Sequence, residues 1–412
     1  METFRRLALN AEIAIKSTSS TFLLDETGAL YACGYNGYGQ LGLGDNESRS
    51  TLTRVPLEES VKKVVIAGDS TLVLTVGGTV YACGFNLSGQ LGLGDNLNRS
   101  TPTRVPLIER VTTVEIRGGV VFVLTVSGGL YTCGDNSSGQ LCLGDTRNRS
   151  TLTKVPLEES VKTVVTSGYS TFVLTRSGTL YACGENYYGQ LGLGDNQDRS
   201  TLTRVPLNES VRTVVDRYIS TYVLTVSGAL YTCGFNGSGQ LGLGDNSHRS
   251  TFTRVPLEES VKMLATGNGT LFVVTVKGAL YACGNNDAGQ LGLEDSSNRS
   301  MLQRVPLVES VKTIDIGASS TLVLTVDGEL YACGANIYGQ FGFRDNQNRS
   351  MLTRVRLVEN ANTIAIGNNS MFVLTVNEVL YACGVNYYGQ LGIGDNLDRS
   401  LLTQVPYLDL MV

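Results

Sequence analysis

Nine cysteines, one histidine and 37 carboxylates are the side chains on which this 412-residue chain would rest any metal, redox or acid–base chemistry. Eight of the cysteines, from Cys33 to Cys383, recur every 50 residues, which invites a metal or disulfide framework. A disulfide needs Cα atoms within about 7 Å, whereas equivalent positions on packed sheets lie about 10 Å apart. The eight are therefore expected to be small, buried, unpaired thiols. Cys142 stands outside the series, in place of a loop glycine, and is the one candidate for a reactive thiol. The single histidine, His248, excludes a His-dependent triad or a multi-histidine metal site.

Two other spacings suggest ligands. Asp45 and Arg49 recur in every unit through Asp395 and Arg399. The EF-hand spacing and its bidentate glutamate are missing, so an Asx turn plus an Asp–Arg pair that fixes a loop is expected. Gly37 to Gly42 and Gly237 to Gly242 match G-x-G-x-x-G, but a dinucleotide loop needs a helix after it and none is predicted. Glu115 and Asp315, carboxylates on different units without a basic partner, are expected to be solvated or paired structurally rather than to form a hydrolase site. No catalytic residue, cofactor or metal is assigned.

The elements that position these residues follow from the period. Tyr31-Ala32-Cys33-Gly34 returns at every fiftieth residue to Tyr381-Ala382-Cys383-Gly384 without insertion or deletion. In the second unit Val61 to Ile66 is β-branched and apolar, and Thr71 to Val76 alternates with period two. Gly77-Gly78 predicts a two-residue hairpin turn into Thr79 to Cys83. A long loop from Gly84 to Thr103 then leads to a short fourth strand, Arg104 to Leu107. Pro56, Pro106, Pro156, Pro206, Pro256 and Pro306 fall in that fourth strand, which places it at the outer edge; Arg356 takes the proline's place in the seventh unit. No stretch keeps a 3.6-residue period. The fold class is all-β: a closed β-propeller of eight four-stranded blades from eight 50-residue repeats.

Gly39-Gln40-Leu41-Gly42-Leu43-Gly44-Asp45, following Leu30-Tyr31-Ala32-Cys33-Gly34-x-Asn36, resembles the regulator of chromosome condensation repeat over essentially the whole chain. Cysteine stands where that family usually has tryptophan, and Ser70, Val120, Ser170 and Ser320 stand where it commonly has histidine. Family propellers commonly have seven blades, whereas eight in-phase units imply eight. The expected blades are 12–57, 62–107, 112–157, 162–207, 212–257, 262–307, 312–357 and 362–407, in a single propeller domain. The tail through Tyr407 is expected to complete the last blade, leaving residues 1–11 as a cap or frayed head. The resemblance also implies guanine-nucleotide exchange on the small GTPase Ran, the founding member's activity. That member's projecting hairpin and basic tail have no counterpart here, and the family's ultraviolet photoreceptor relies on tryptophans that this chain lacks.

With 17% charged residues and a net charge of −5, the chain has no electrostatic footprint for phosphate backbones, so no direct nucleic-acid binding is expected. Its start has no signal-like apolar run, and no window reaches 18 apolar residues. A soluble monomer without membrane contact, cytoplasmic or nuclear, is expected.

The units differ in the loops joining first to second and third to fourth strands, which share one face if the strands run up and down. Aromatic residues gather there: Tyr35, Tyr38, Phe85, Tyr169, Tyr187, Tyr188, Tyr218, Phe235, Tyr338, Tyr387 and Tyr388, with Arg217. Tyrosine-rich variable loops on a rigid scaffold make recognition surfaces. The expected function is a non-catalytic protein-interaction scaffold using that face. A small GTPase is the alternative partner.

Overall fold

A computed structural model describes residues 12–14 (backbone only), 19–217, 219–367 and 369–406. The head (1–11), Tyr218 and Tyr407 lie outside the described residues. The rest forms eight antiparallel four-stranded sheets spanning 12–54, 61–104, 111–154, 161–204, 211–254, 261–304, 311–355 and 361–404, the blades of a β-propeller. Within each sheet the strands follow chain order.

Composition explains the strand order. The second strand of blade 2, Ser70–Thr75, is buried at every position, and its Val73 packs with Phe22 and Leu24 of blade 1. The fourth, Arg99–Arg104, is half-buried or exposed at every position, as an edge strand must be. Its Pro102 lacks an amide donor, which only an edge tolerates.

Two sequence expectations shift here. The fourth strand is the polar segment Arg99–Arg104 and not Arg104 to Leu107. The repeated prolines come just after it, where Leu57 N–H bonds Val55 O at 2.8 Å around Pro56. That is an inverse γ-turn, which proline's fixed φ suits. Where Arg356 replaces proline, the strand runs on to Val355. The hairpin turn also has three residues rather than two: Thr75 N–H bonds Thr79 O at 2.9 Å, Gly78 N–H bonds Thr75 O at 3.0 Å, and Gly78 has φ +85°. Glu378 takes the glycine's place in blade 8 with φ +66°, a strained conformation for a side chain with a Cβ.

The chain divides into two compact bodies, one built on blades 7, 8, 1 and 2, the other on blades 3 to 6. Blades in each are joined alike. In the first, Thr21 Oγ1 (2.8 Å) and the Cys33 thiol (3.6 Å) donate to Gln390 O, so the last repeat packs on the first. Thr71 and Cys83 donate to Gln40 O in the same way. In the second, Thr221 (2.8 Å) and Cys233 (3.3 Å) donate to Gln190 O. The last blade takes its outer strand, Arg399–Gln404, from its own repeat.

These cysteines are buried, and burial pushes the Cys33, Cys83 and Cys133 thiols up to about 12. The series has one exception: Cys183 is joined to Cys142 by a disulfide with Cα atoms 5.8 Å apart. Equivalent positions on neighbouring blades lie too far apart to pair, but Cys142 and Cys183 are not equivalent. A Cβ placed on Gly42, Gly92 or Gly242 lies 3.2 Å from the Sγ of Cys83, Cys133 or Cys283 on the next blade. Position 142 is that glycine site, and cysteine there, at φ +60°, meets its neighbour.

Candidate interaction face

Each loop between third and fourth strands is built on a buried polar frame. In blade 1 Asn36, fully buried, accepts from Leu41 N–H at 2.8 Å and donates to Asp45 O at 2.9 Å. Gln40 accepts Tyr38 N–H at 3.0 Å and donates to Asp69 Oδ1 at 2.8 Å, which ties this loop to the first-to-second loop of blade 2. The two loop types therefore lie on one face. Asp45 Oδ1 accepts Glu47 N–H at 2.9 Å, an Asx turn, and Oδ2 pairs with Arg49. The Asp–Arg pair recurs, as in Asp145–Arg149 at 2.7 Å. Arg49 first and the Glu47 amide second hold the Asp45 carboxyl below its usual range.

The frame also needs glycines. Gly84 has φ +98°, and a Cβ there would overlap the Asp69 carbonyl. Once Asn, Gln, Asp, Arg and these glycines are fixed, the side chains at positions such as 35, 37 and 38 vary widely, and position 48 varies within limits. Position 48 still has a duty: its side chain accepts the Asn36-type amide, as Asn148 (2.9 Å), Asp198 (2.8 Å) and His248 Nδ1 (3.0 Å) do.

The aromatic tips gather into one row in each body. In the first, Tyr388 meets Tyr35 at 4.9 Å between centroids, Tyr35 meets Tyr38 at 6.2 Å, and Tyr38 meets Phe85 edge-on at 5.2 Å. In the second, Tyr187 meets Tyr188 edge-on at 4.8 Å, and Tyr188 packs on Phe235 at 5.1 Å and His248 at 5.1 Å. Such geometries add about 0.5–1.5 kcal/mol per pair to the burial. Tyr187 and Tyr387 stand out, 69% and 71% exposed. Tyr169 and Tyr338 are exposed as well, outside both rows. Arg217, half-buried, ends the first strand of blade 5. The sequence missed His248 as a member of a row; its signal was the shared duty of position 48.

Of the two carboxylates, Asp315 has a structural role. Asp315 accepts Ile316 N–H at 3.0 Å and Ile366 N–H at 2.9 Å. Among the described residues no three His, Cys, Asp or Glu side chains converge as metal ligands.

A β-propeller whose blades share a Gly-rich, Asn- and Gln-framed loop is a repeat protein of a defined class. Models of the regulator of chromosome condensation (RCC1) repeat match residues 27–74, 77–126, 177–217, 227–274 and 277–324, and a second model of that repeat matches 161–190 and 311–340. The chain belongs to the RCC1 repeat family. Among solved structures it is similar to human WBSCR16 (TM-score 0.67, 22% identity, covering 84% of this chain and 99% of that one). It is also similar to yeast RCC1 (Prp20) bound to Kap60 (TM-score 0.65, 18% identity, 87% and 89%). Prp20p from Saccharomyces cerevisiae, studied for its binding to Gsp1p and histones, matches similarly (TM-score 0.64, 18% identity, 87% and 91%). No curated protein sequence matches the chain. At these identities the likeness concerns the fold.

Proposed function

We propose that the chain is a non-catalytic protein-interaction propeller that recognises its partner with the aromatic tips of the variable-loop face. One observation carries this: exposed tyrosines, with Tyr187 and Tyr387 the most exposed, stand on a hydrogen-bonded frame that needs none of them for its own integrity. Rigid aromatic anchors lose little conformational entropy on binding, and they dominate interface energetics. Tyr35, Tyr38, Phe85, Tyr169, Tyr187, Tyr188, Arg217, Phe235, Tyr338, Tyr387 and Tyr388 are the contact candidates; Tyr218 is one by sequence alone.

Replacing Tyr187 and Tyr188, or Tyr387 and Tyr388, with alanine is expected to abolish partner capture while lowering the melting temperature by only a few degrees. Quantitative affinity purification with the wild type and each pair checks this. An unchanged partner set overturns it. Exchange on a small GTPase is the second reading, resting on family membership and on the yeast relative's binding to Gsp1p. Release of labelled GDP from candidate GTPases tests it.

A further inference from the structure

Between blades 3 and 4 the loop face opens into a cleft of ≈ 590 Å³ lined by Ser138, Glu185, Tyr187, Asn196, Gln197 and Asp198. The cleft exists because blade 3 carries Ser138 where blade 4 carries Tyr188, which at the next junction packs on Phe235 and His248. The lining contains two carboxylates and no cationic side chain. Asn196 donates to Tyr187 O at 2.7 Å, fixing the backbone beneath the exposed tyrosine ring. Asp198 Oδ1 accepts the Asn186 amide at 2.8 Å, fixing the second carboxylate.

We propose that this cleft docks an arginine or lysine side chain carried on a segment of a partner protein, the aromatic row beside it receiving the flanking residues. The proposal rests on the function inferred above and names the partner's chemistry. A guanidinium satisfies the site best: its fork matches a carboxylate, and its plane stacks on a tyrosine ring. The Glu185 carboxyl is pushed up by burial first and by Asp198 second. A bound cation relieves that burden, whereas a carboxylate-bearing segment adds to it.

Neighbouring repeats supply variants that keep the frame. Asn148 accepts the Asn136 amide at 2.9 Å as Asp198 accepts its own, so Asp198→Asn removes charge and keeps the bond. Ser138→Tyr copies Tyr188 and fills the cleft. The test is fluorescence anisotropy of the full chain with two labelled peptides, alternating glycine with arginine or glycine with glutamate. The arginine peptide is expected to bind preferentially and more weakly as salt rises. Glu185→Gln with Asp198→Asn should weaken it about tenfold, and Ser138→Tyr similarly. The proposal is overturned if the arginine peptide binds no tighter than the glutamate peptide or if the charge-removing pair leaves its binding unchanged. Tyrosine-dependent partner capture that survives in that pair would overturn this inference alone and leave the broader function standing.

Discussion

Blades 3 and 4 adjoin in the same body and share one loop frame, yet they present opposite surfaces. Blade 3 offers Asp135, Ser137 and Ser138, small and polar, while blade 4 offers Glu185, Tyr187 and Tyr188. Beneath the tips, Asn136 and Asn186 make the same bonds, accepting from Leu141 and Leu191 N–H at 2.9 Å each and donating to Asp145 and Asp195 O at 2.9 Å each. The buried asparagine bonds are therefore the same beneath both sets of tips, and recognition chemistry can be written at a few positions without renegotiating the fold.

The comparison is broken most severely through the frame. Gly184→Ala puts a methyl into the Tyr169 carbonyl at a φ of +99°, and a loss of about 4 kcal/mol or more is expected in urea melts. Gly134→Ala should cost blade 3 as much. A tolerated substitution in either blade would mean that the frame is not shared.

The next effect lies one blade on. Position 116 is Ile in blade 3, 166 is Thr in blade 4, and 216 is Asp in blade 5. Asp216 is 3% exposed, and its Oδ2 has no hydrogen-bond partner among the described residues. Burial pushes its carboxyl up to about 7, against the Ser167 and Thr221 hydroxyls and Arg117. The fold therefore favours the protonated form. That contribution is complete below the unfolded value of about 4 and is lost as pH rises through about 7. Asp216→Thr is expected to stabilise by up to about 4 kcal/mol at pH ~8 and by much less near pH ~4. Equal effects at both pH values would show that the carboxylate is already charged in the fold.

The disulfide separates blade 3 from its neighbours more gently. Cys142 and Cys183 are 41 residues apart, for which chain entropy gives at most about 4 kcal/mol, offset in part by the positive φ of Cys142. Reduction should lower the melting temperature of the wild type and leave Cys142→Gly unmoved. In a reducing compartment the thiols would stay separate. Gly242→Cys should cross-link to Cys283 on oxidation, since its Cβ falls 3.2 Å from that sulfur; failure to do so would make the 142–183 joint a local peculiarity. Smallest of all, Tyr187→Ser with Tyr188→Ser, giving blade 4 the residues of blade 3, should cost about 1–2 kcal/mol, the loss of the ring contacts that Tyr188 makes.

The sequence disclosed the fold where pattern and packing agree. The alternation through Ser70–Thr75 and the Leu-Tyr-Ala-Cys-Gly strand specify a buried hairpin, and the Asp–Arg loop pair followed from spacing. The fourth strand was hidden because an edge strand need not be apolar: Arg99–Arg104 reads as loop, and Val105-Pro106-Leu107 imitates a strand. The disulfide was hidden because it joins non-equivalent repeat positions, a relation that only the offset between blades reveals. Of the face, the tyrosines were legible by composition. The cleft was not, since it arises from a serine in one repeat lying beside carboxylates in the next.

The seam between repeats is asymmetric in how it is encoded. Its donors, such as Thr21 and Cys33, are side chains that mutation can delete, but its acceptor is the peptide carbonyl of Gln390, which no substitution removes. A seam of this kind does not distinguish one repeat from another. Copies can be duplicated or exchanged in order while a junction of this kind keeps its acceptor, so the order of loop tips along the chain is a text that evolution, or a designer, can rearrange by whole repeats.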